Sequence, residues 1–206
     1  RRTPRPLTTI LALVVTLGLA APTAADGKRS ARERPETWDA PATAQQLQAD
    51  PTLIPPAQGA IFVPAMTDPR LEPPYIVVQD DRILQTVAVG RRAVLDPGIY
   101  EIRLGSGPPE QRLRRRVLVK EGRTTVVPAN WGAVVVQVVN ERFTPFRGSY
   151  ELLSLPDRRS MGVGLGADVE LDDEARTWIL APGRYMLIRL GENFQARRDF
   201  FTFRVA

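Results

Sequence analysis

The sequence predicts an all-β protein: two tandem antiparallel β-sandwich repeats, residues 59–128 and 129–206, behind a signal peptide (1–25) and a flexible leader (26–58). Three observations carry this reading. After Gly59 the apolar residues fall in short runs rich in Val, Ile, Leu, Phe and Tyr, separated by Pro, Gly, Asp or Asn, which is the spacing of antiparallel strands. No stretch of useful length after Gly59 has a helical period. The second half also echoes the first in order. Gly59-Ala60-Ile61-Phe62-Val63 matches Gly132-Ala133-Val134-Val135-Val136, Tyr75-Ile76-Val77-Val78 matches Tyr150-Glu151-Leu152-Leu153, and Leu95-Asp96-Pro97-Gly98-Ile99-Tyr100 matches Leu180-Ala181-Pro182-Gly183-Arg184-Tyr185. The offset grows only between these runs, where loops absorb insertions because they bury little.

At the start of the chain, Arg1, Arg2 and Arg5 precede an apolar run over residues 7–21 and the small residues Thr23-Ala24-Ala25. This is the pattern of a secretory signal cut after Ala25, and it predicts a periplasmic or extracellular protein. The run is shorter than the roughly 20 residues of a spanning helix, so no transmembrane helix is expected. Thr3-Pro4-Arg5-Pro6 lacks the apolar pattern that would follow a twin-arginine pair.

Composition removes whole classes of chemistry. With no Cys there is no disulfide framework, thiolate metal site or lipid-bearing cysteine, and with no His there is no Ser-His-Asp triad or His-ligated zinc. Neither a catalytic site nor a metal or cofactor site is expected. The sequence pI of about 10.2 overstates the basic character. Removing Arg1, Arg2 and Arg5 from the 28 basic residues leaves 25 against 23 acidic ones, a net +2, which makes no case for nucleic acid as a partner.

The leader is polar and interrupted by prolines, with one short helical stretch at residues 43–50 stopped by Pro51. Trp38 is its one large apolar residue in the first half, an exposed aromatic or a docking point.

In each repeat, a Pro-Gly pair is expected to form a type II turn with Gly98 and Gly183 at positive φ, feeding a strand opened by Tyr100 or Tyr185. Tyr100, Ile102 and Leu104 alternate with Glu101 and Arg103, so that strand has one wet face. Val117-Leu118-Val119 and Thr125-Val126-Val127 flank Lys120-Glu121-Gly122-Arg123, the pattern of a hairpin. Phe200-Phe201-Thr202-Phe203-Arg204-Val205 matches the first of these two strands, and no counterpart of the second follows it. With no initiator Met either, the sequence reads as the N-terminal part of a larger exported protein whose continuation supplies a closing strand, since a bare apolar edge is rarely left open.

Val138-Val139-Asn140-Glu141-Arg142-Phe143-Thr144-Pro145-Phe146-Arg147-Gly148-Ser149-Tyr150-Glu151-Leu152, with Leu180-Ala181-Pro182-Gly183-Arg184-Tyr185 downstream, resembles the carboxypeptidase-regulatory-like and PEGA-type modules of bacterial envelope proteins. The resemblance implies transthyretin-like sandwiches serving as accessory, structural or adhesive units. It brings no catalytic residues.

Three clusters stand as candidate sites. Arg112, Arg114 and Arg116 share one face of an extended strand. They form either a site for an acidic polysaccharide or another anion, or an edge strand guarded by charge. Asp168, Glu170, Asp172, Asp173 and Glu174 crowd one loop, which reads as a solvated acidic hairpin or as oxygen ligands for calcium without the spacing of an EF-type loop. Gly162, Gly164 and Gly166 leave a bare groove on one strand face, filled by Trp131 or Trp178, or else open to a ligand with Trp178 and Tyr150 as a sugar platform. The function these residues point to is a non-enzymatic envelope structural or docking module whose partner is an envelope protein or a polysaccharide. The alternative is an anion-binding module acting through the Arg112/Arg114/Arg116 face.

Overall fold

The computed structural model describes residues 40–167, 174–190 and 200–206, and they form an all-β protein with one α-helix. That helix, α1 (Thr43–Ala49), is followed by β1 (Gly59–Phe62), β2 (Tyr75–Gln79), β3 (Arg82–Val87), β4 (Arg92–Leu95), β5 (Gly98–Leu104), β6 (Leu113–Val119) and β7 (Thr124–Val126). Strands β3-β2-β5-β6 make an antiparallel sheet, and β4-β1-β7 makes a smaller one facing it. Ile61, Val63, Tyr75, Val77, Tyr100, Ile102 and Val119 fill the space between them.

The second half has β8 (Gly132–Val135), β9 (Ser149–Leu155), β10 (Arg159–Leu165), β11 (Thr177–Leu180), β12 (Gly183–Leu190) and β13 (Phe200–Val205). Its larger sheet runs β10-β9-β12-β13, the strand order of the first half, opposite the pair β11-β8. The matched registers agree in detail: Gly98 opens β5 opposite Val119, and Gly183 opens β12 opposite Val205.

Both glycines therefore lie in extended strand, and neither has the positive φ expected of a type II turn. The Pro-Gly pair runs straight into the strand, and a tyrosine hydroxyl holds the corner instead. Tyr100 donates to Asp96 O and Tyr185 to Ala181 O, each at 2.8 Å. Each bond satisfies a carbonyl just before the strand while the ring enters the core.

The expected hairpin after β6 is also absent. With Gly122 at φ +64, the chain crosses to the facing sheet, where β7 runs parallel to β1. Ala60 N–H donates to Arg123 O and Val127 N–H to Phe62 O, both at 2.9 Å. Pairing with β1 satisfies these groups and closes the core, which a return beside β6 would leave uncovered. The tight turn falls elsewhere: Asp80 and Asp81, at φ 48° and 60°, join β2 to β3 as a two-residue turn whose twist suits a hairpin.

Residues 40–58 differ from the flexible leader of the sequence reading. Helix α1 forms where it was expected, and this segment is tied to the first sandwich. The Gln46 amide donates to Ala65 O and accepts from Ala65 N–H, each at 2.9 Å, in the manner of a strand pair. The Asp50 carboxylate, fully buried, accepts from Thr52 Oγ1 at 2.7 Å, Arg92 N–H at 2.9 Å and the Arg92 guanidinium at 3.0 Å. Burial pushes this carboxyl up, but the hydrogen bonds from Thr52 and Arg92 outweigh it and hold the group below its ordinary value. Residues 26–39, Trp38 among them, lie outside the described residues.

The two halves share a wall. Along β8 and β11, side chains alternate between faces: Ala133 and Ile179 enter the first core with Trp131, while Val134 and Leu180 enter the second. This is why every residue of β8 is buried although the strand belongs to a two-stranded sheet. Around the wall, Thr177 N–H donates to Leu71 O at 3.0 Å, Ser106 N–H to Ile179 O at 2.8 Å, and Ile179 N–H to Ser106 Oγ at 2.9 Å. Beside these, Thr67 Oγ1 meets Thr177 Oγ1 at 2.8 Å.

Candidate functional site

The arginine run lies where β5 and β6 form the wet flank of the first sandwich. Arg114 and Arg116 are exposed on β6, directly opposite Arg103 and Glu101 of β5. Arg103 Nε donates to Glu101 Oε1 at 2.5 Å, and its guanidinium also reaches Asp81 at 3.5 Å. That hydrogen bond, reinforced by the charges of Arg103, Arg114 and Arg116, holds the Glu101 carboxyl below its ordinary value. Arg112 is set apart from this row. It sits one residue before β6, at the end of a short 3-10 turn (Pro109–Gln111), and its Nε donates to Gly107 O at 3.3 Å. The face is thus Arg114 and Arg116, neither in an ion pair with a described residue, beside the ion-paired Arg103, with Arg112 set off from them.

Among the described residues, strand β6 is the outer strand of its sheet, paired with β5 alone. Thr125 Oγ1 donates to Leu118 O at 2.8 Å and Arg115 to Arg114 O at 2.9 Å, so the backbone groups of Arg114, Arg116 and Leu118 point away from β5. Across from them, Arg123 and Val127 bond to β1, which turns the backbone groups of Thr124 and Val126 outward. Between the two edges runs a groove of about 460 Å³, lined by Arg116, Leu118, Lys120, Arg123, Thr125 and Val126 among others. Lys120 and Arg123 come from the crossover, and the sequence reading missed them because it made that segment a hairpin. None of Arg114, Arg116, Lys120 and Arg123 makes an ion pair with a described residue.

No family model matches this chain. No curated protein matches it either. Among solved structures it is similar to the TIE protein of Bacillus anthracis, at 16% identity and a TM-score of 0.26, over 72% of this chain and 31% of that one. The chain thus spans about a third of that protein's length.

The second candidate site is a packed one. Trp178 fills the space over Gly162, with its ring 3.6 Å from where a Cβ would stand, and Tyr150 lies so close over Gly164 that a Cβ there would overlap its ring. Gly166 meets Val138 and the Phe146 carbonyl in the same way. Trp178 Nε1 donates to the Tyr150 hydroxyl at 2.8 Å. Trp131, the alternative filler, lies instead in the first core. Tyr150 is almost wholly buried, and burial pushes its phenol up against the opposing effect of the Trp178 hydrogen bond.

Residues 168–173 of the acidic loop, and with them the calcium reading, lie outside the described residues. Glu174 is described and approaches Arg70 at 3.8 Å. A buried carboxylate that sequence reading passed over sits at the junction of the halves. Glu72 Oε1 accepts from Met66 N–H at 2.7 Å, from Thr67 N–H, and from Thr67 Oγ1 at 2.9 Å. Burial pushes its carboxyl up, with the hydrogen bonds from Thr67 and Met66 opposing. No helix among the described residues is long and apolar enough to cross a membrane.

Proposed function

We propose that this chain is a non-enzymatic module of an exported bacterial envelope protein, two tandem transthyretin-like sandwiches of the carboxypeptidase-regulatory-like and PEGA kind, which sets spacing and offers a docking surface. The observation that carries this reading is the shared wall. Ala133 and Ile179 belong to one core while Val134 and Leu180 belong to the other, so neither sandwich can turn without opening both. A unit that holds two sandwiches in fixed relation suits a spacer or a docking platform.

Two measurements test it. Expressed whole in a two-membrane bacterium, the chain should be recovered from the periplasm or medium with its N-terminus at Asp26, and an uncut chain held in the cytoplasm would overturn export. Since the sequence has no cysteine, spin labels at Asp80→Cys and Asp157→Cys report the two sandwiches cleanly. They should give one narrow distance distribution, and a broad or double one would overturn the fixed spacing.

A second reading, binding of an acidic polysaccharide, draws on the exposure of Arg114 and Arg116 on an outer strand. It predicts salt-sensitive retention on polygalacturonate that is lost in the Arg114→Ala/Arg116→Ala double variant.

A further inference from the structure

The edges of β6 and β7 present something a charge cluster alone does not. Arg116 N–H and C=O, Leu118 N–H, and the backbone groups of Thr124 and Val126 all face the groove, and among the described residues none pairs with another strand on that side. An outer strand with a row of unpaired N–H and C=O groups is a template for an incoming strand. The side chains that share this edge are Arg114 and Arg116, roughly 6.6 Å apart as alternate residues of one strand face, followed by Leu118, which is 50% exposed. Lys120 and Arg123 close the groove at its end, with Val126, 37% exposed, on its far wall.

We propose that this groove takes an extended acidic polypeptide by strand addition along β6. Backbone hydrogen bonds to Arg116 and Leu118 would supply register. The alternate side chains of the guest fall beside Arg114, Arg116 and Leu118 in turn, which selects two acidic residues and then an apolar one. The intervening side chains point into the groove, where Val126 and Thr125 favour β-branched residues. Four cations with no ion pair among the described residues outweigh Glu121 of the crossover and Glu101, whose carboxylate is already bonded to Arg103, so the complementary partner is anionic. A polypeptide fits better than a polysaccharide because only a polypeptide returns both donors and acceptors to a strand edge at the strand spacing. This inference names a surface for the docking reading and rests on that reading for its biological sense. The two fail separately, since an exported, rigid chain that ignores the peptide would keep the first and lose the second.

The test uses the whole chain and an acetylated heptapeptide, Glu-Val-Glu-Val-Leu-Val-Ser, whose alternate positions carry two glutamates and then a leucine. Titration should give saturable binding with slowed amide exchange at Arg116 and Leu118, and the Arg116→Glu/Lys120→Glu variant should lose at least about tenfold in affinity while melting as the wild type does. The decisive control is the same peptide N-methylated at alternate residues, which keeps every charge and removes the donors facing β6. Loss of its binding supports strand addition, and equal binding of both peptides overturns it in favour of charge attraction alone. Binding of polygalacturonate with none of the peptide would overturn it as well and assign the groove to a polysaccharide.

Discussion

Trp178 donates its indole N–H to the Tyr150 hydroxyl at 2.8 Å, under the bare strand that Gly162 and Gly164 provide. The two rings, with centroids 6.3 Å apart and tilted by 57°, are thereby held in one arrangement. Gly164→Ala should be among the costlier single changes in the second sandwich, at about 3 kcal/mol, because its methyl displaces a buried ring rather than a flexible chain end. Tyr150→Phe should cost about 1 kcal/mol by leaving the indole N–H without its acceptor. Urea melts of both variants, followed by Trp fluorescence, check the order. A Gly164→Ala variant as stable as wild type would contradict the packing.

The tyrosine corners make a different demand. Tyr100→Phe and Tyr185→Phe each remove one hydroxyl-to-carbonyl bond and should each destabilise by about 1 kcal/mol. Gly98→Ala should change stability little, since Gly98 is extended and a Cβ there meets the Tyr100 ring at an ordinary 3.5 Å. A loss of more than about 1 kcal/mol in Gly98→Ala, the expected effect of a left-handed glycine, would restore the type II turn.

Asp50 anchors the segment that carries α1. Its carboxyl is held below the ordinary aspartate value, so the stability it contributes is present above that value and is lost as pH falls through the lowered one. Asp50→Ala should cost about 3 kcal/mol at neutral pH, because the Arg92 guanidinium, 16% exposed, is left without its partner. Limited proteolysis should then cut within residues 40–58, a region the wild-type protein is expected to protect. Equal protection in both would refute the anchor.

Glu72 has the opposite sign. Its folded carboxyl is raised from 4.5, so the folded protein holds the proton more tightly than the unfolded chain does, and stability falls as pH rises from about 4.5 through the raised value. Glu72→Gln keeps an acceptor for Met66 and Thr67 and removes the titration. Chemical melts from pH 4 to 7 should show the variant gaining on the wild type as pH rises. Parallel curves would show that Glu72 does not titrate in this range.

The sequence by itself determined the all-β class, the helix before Pro51 and the strands on either side of each Pro-Gly pair, and it narrowed the packing partner of the glycine strand to Trp131 or Trp178. All of these are local, since they follow from run length, alternation and the residues that interrupt the runs. The tertiary structure decided whatever depends on which strand a segment meets. Thr124–Val126 carries the same alternation whether it returns beside β6 or crosses to β1, and closing the core selects the crossover. Gly98 is permissive of any φ, and the pairing of β5 with Val119 sets it extended. Residues 40–58 have no apolar pattern to announce that they dock, because Gln46 and Asp50 hold them by hydrogen bonds to residues far along the chain. The basic groove is likewise assembled from β6 and a crossover whose course only the facing sheet could set, so Lys120 and Arg123 join Arg116 in space without any sequence pattern that groups them.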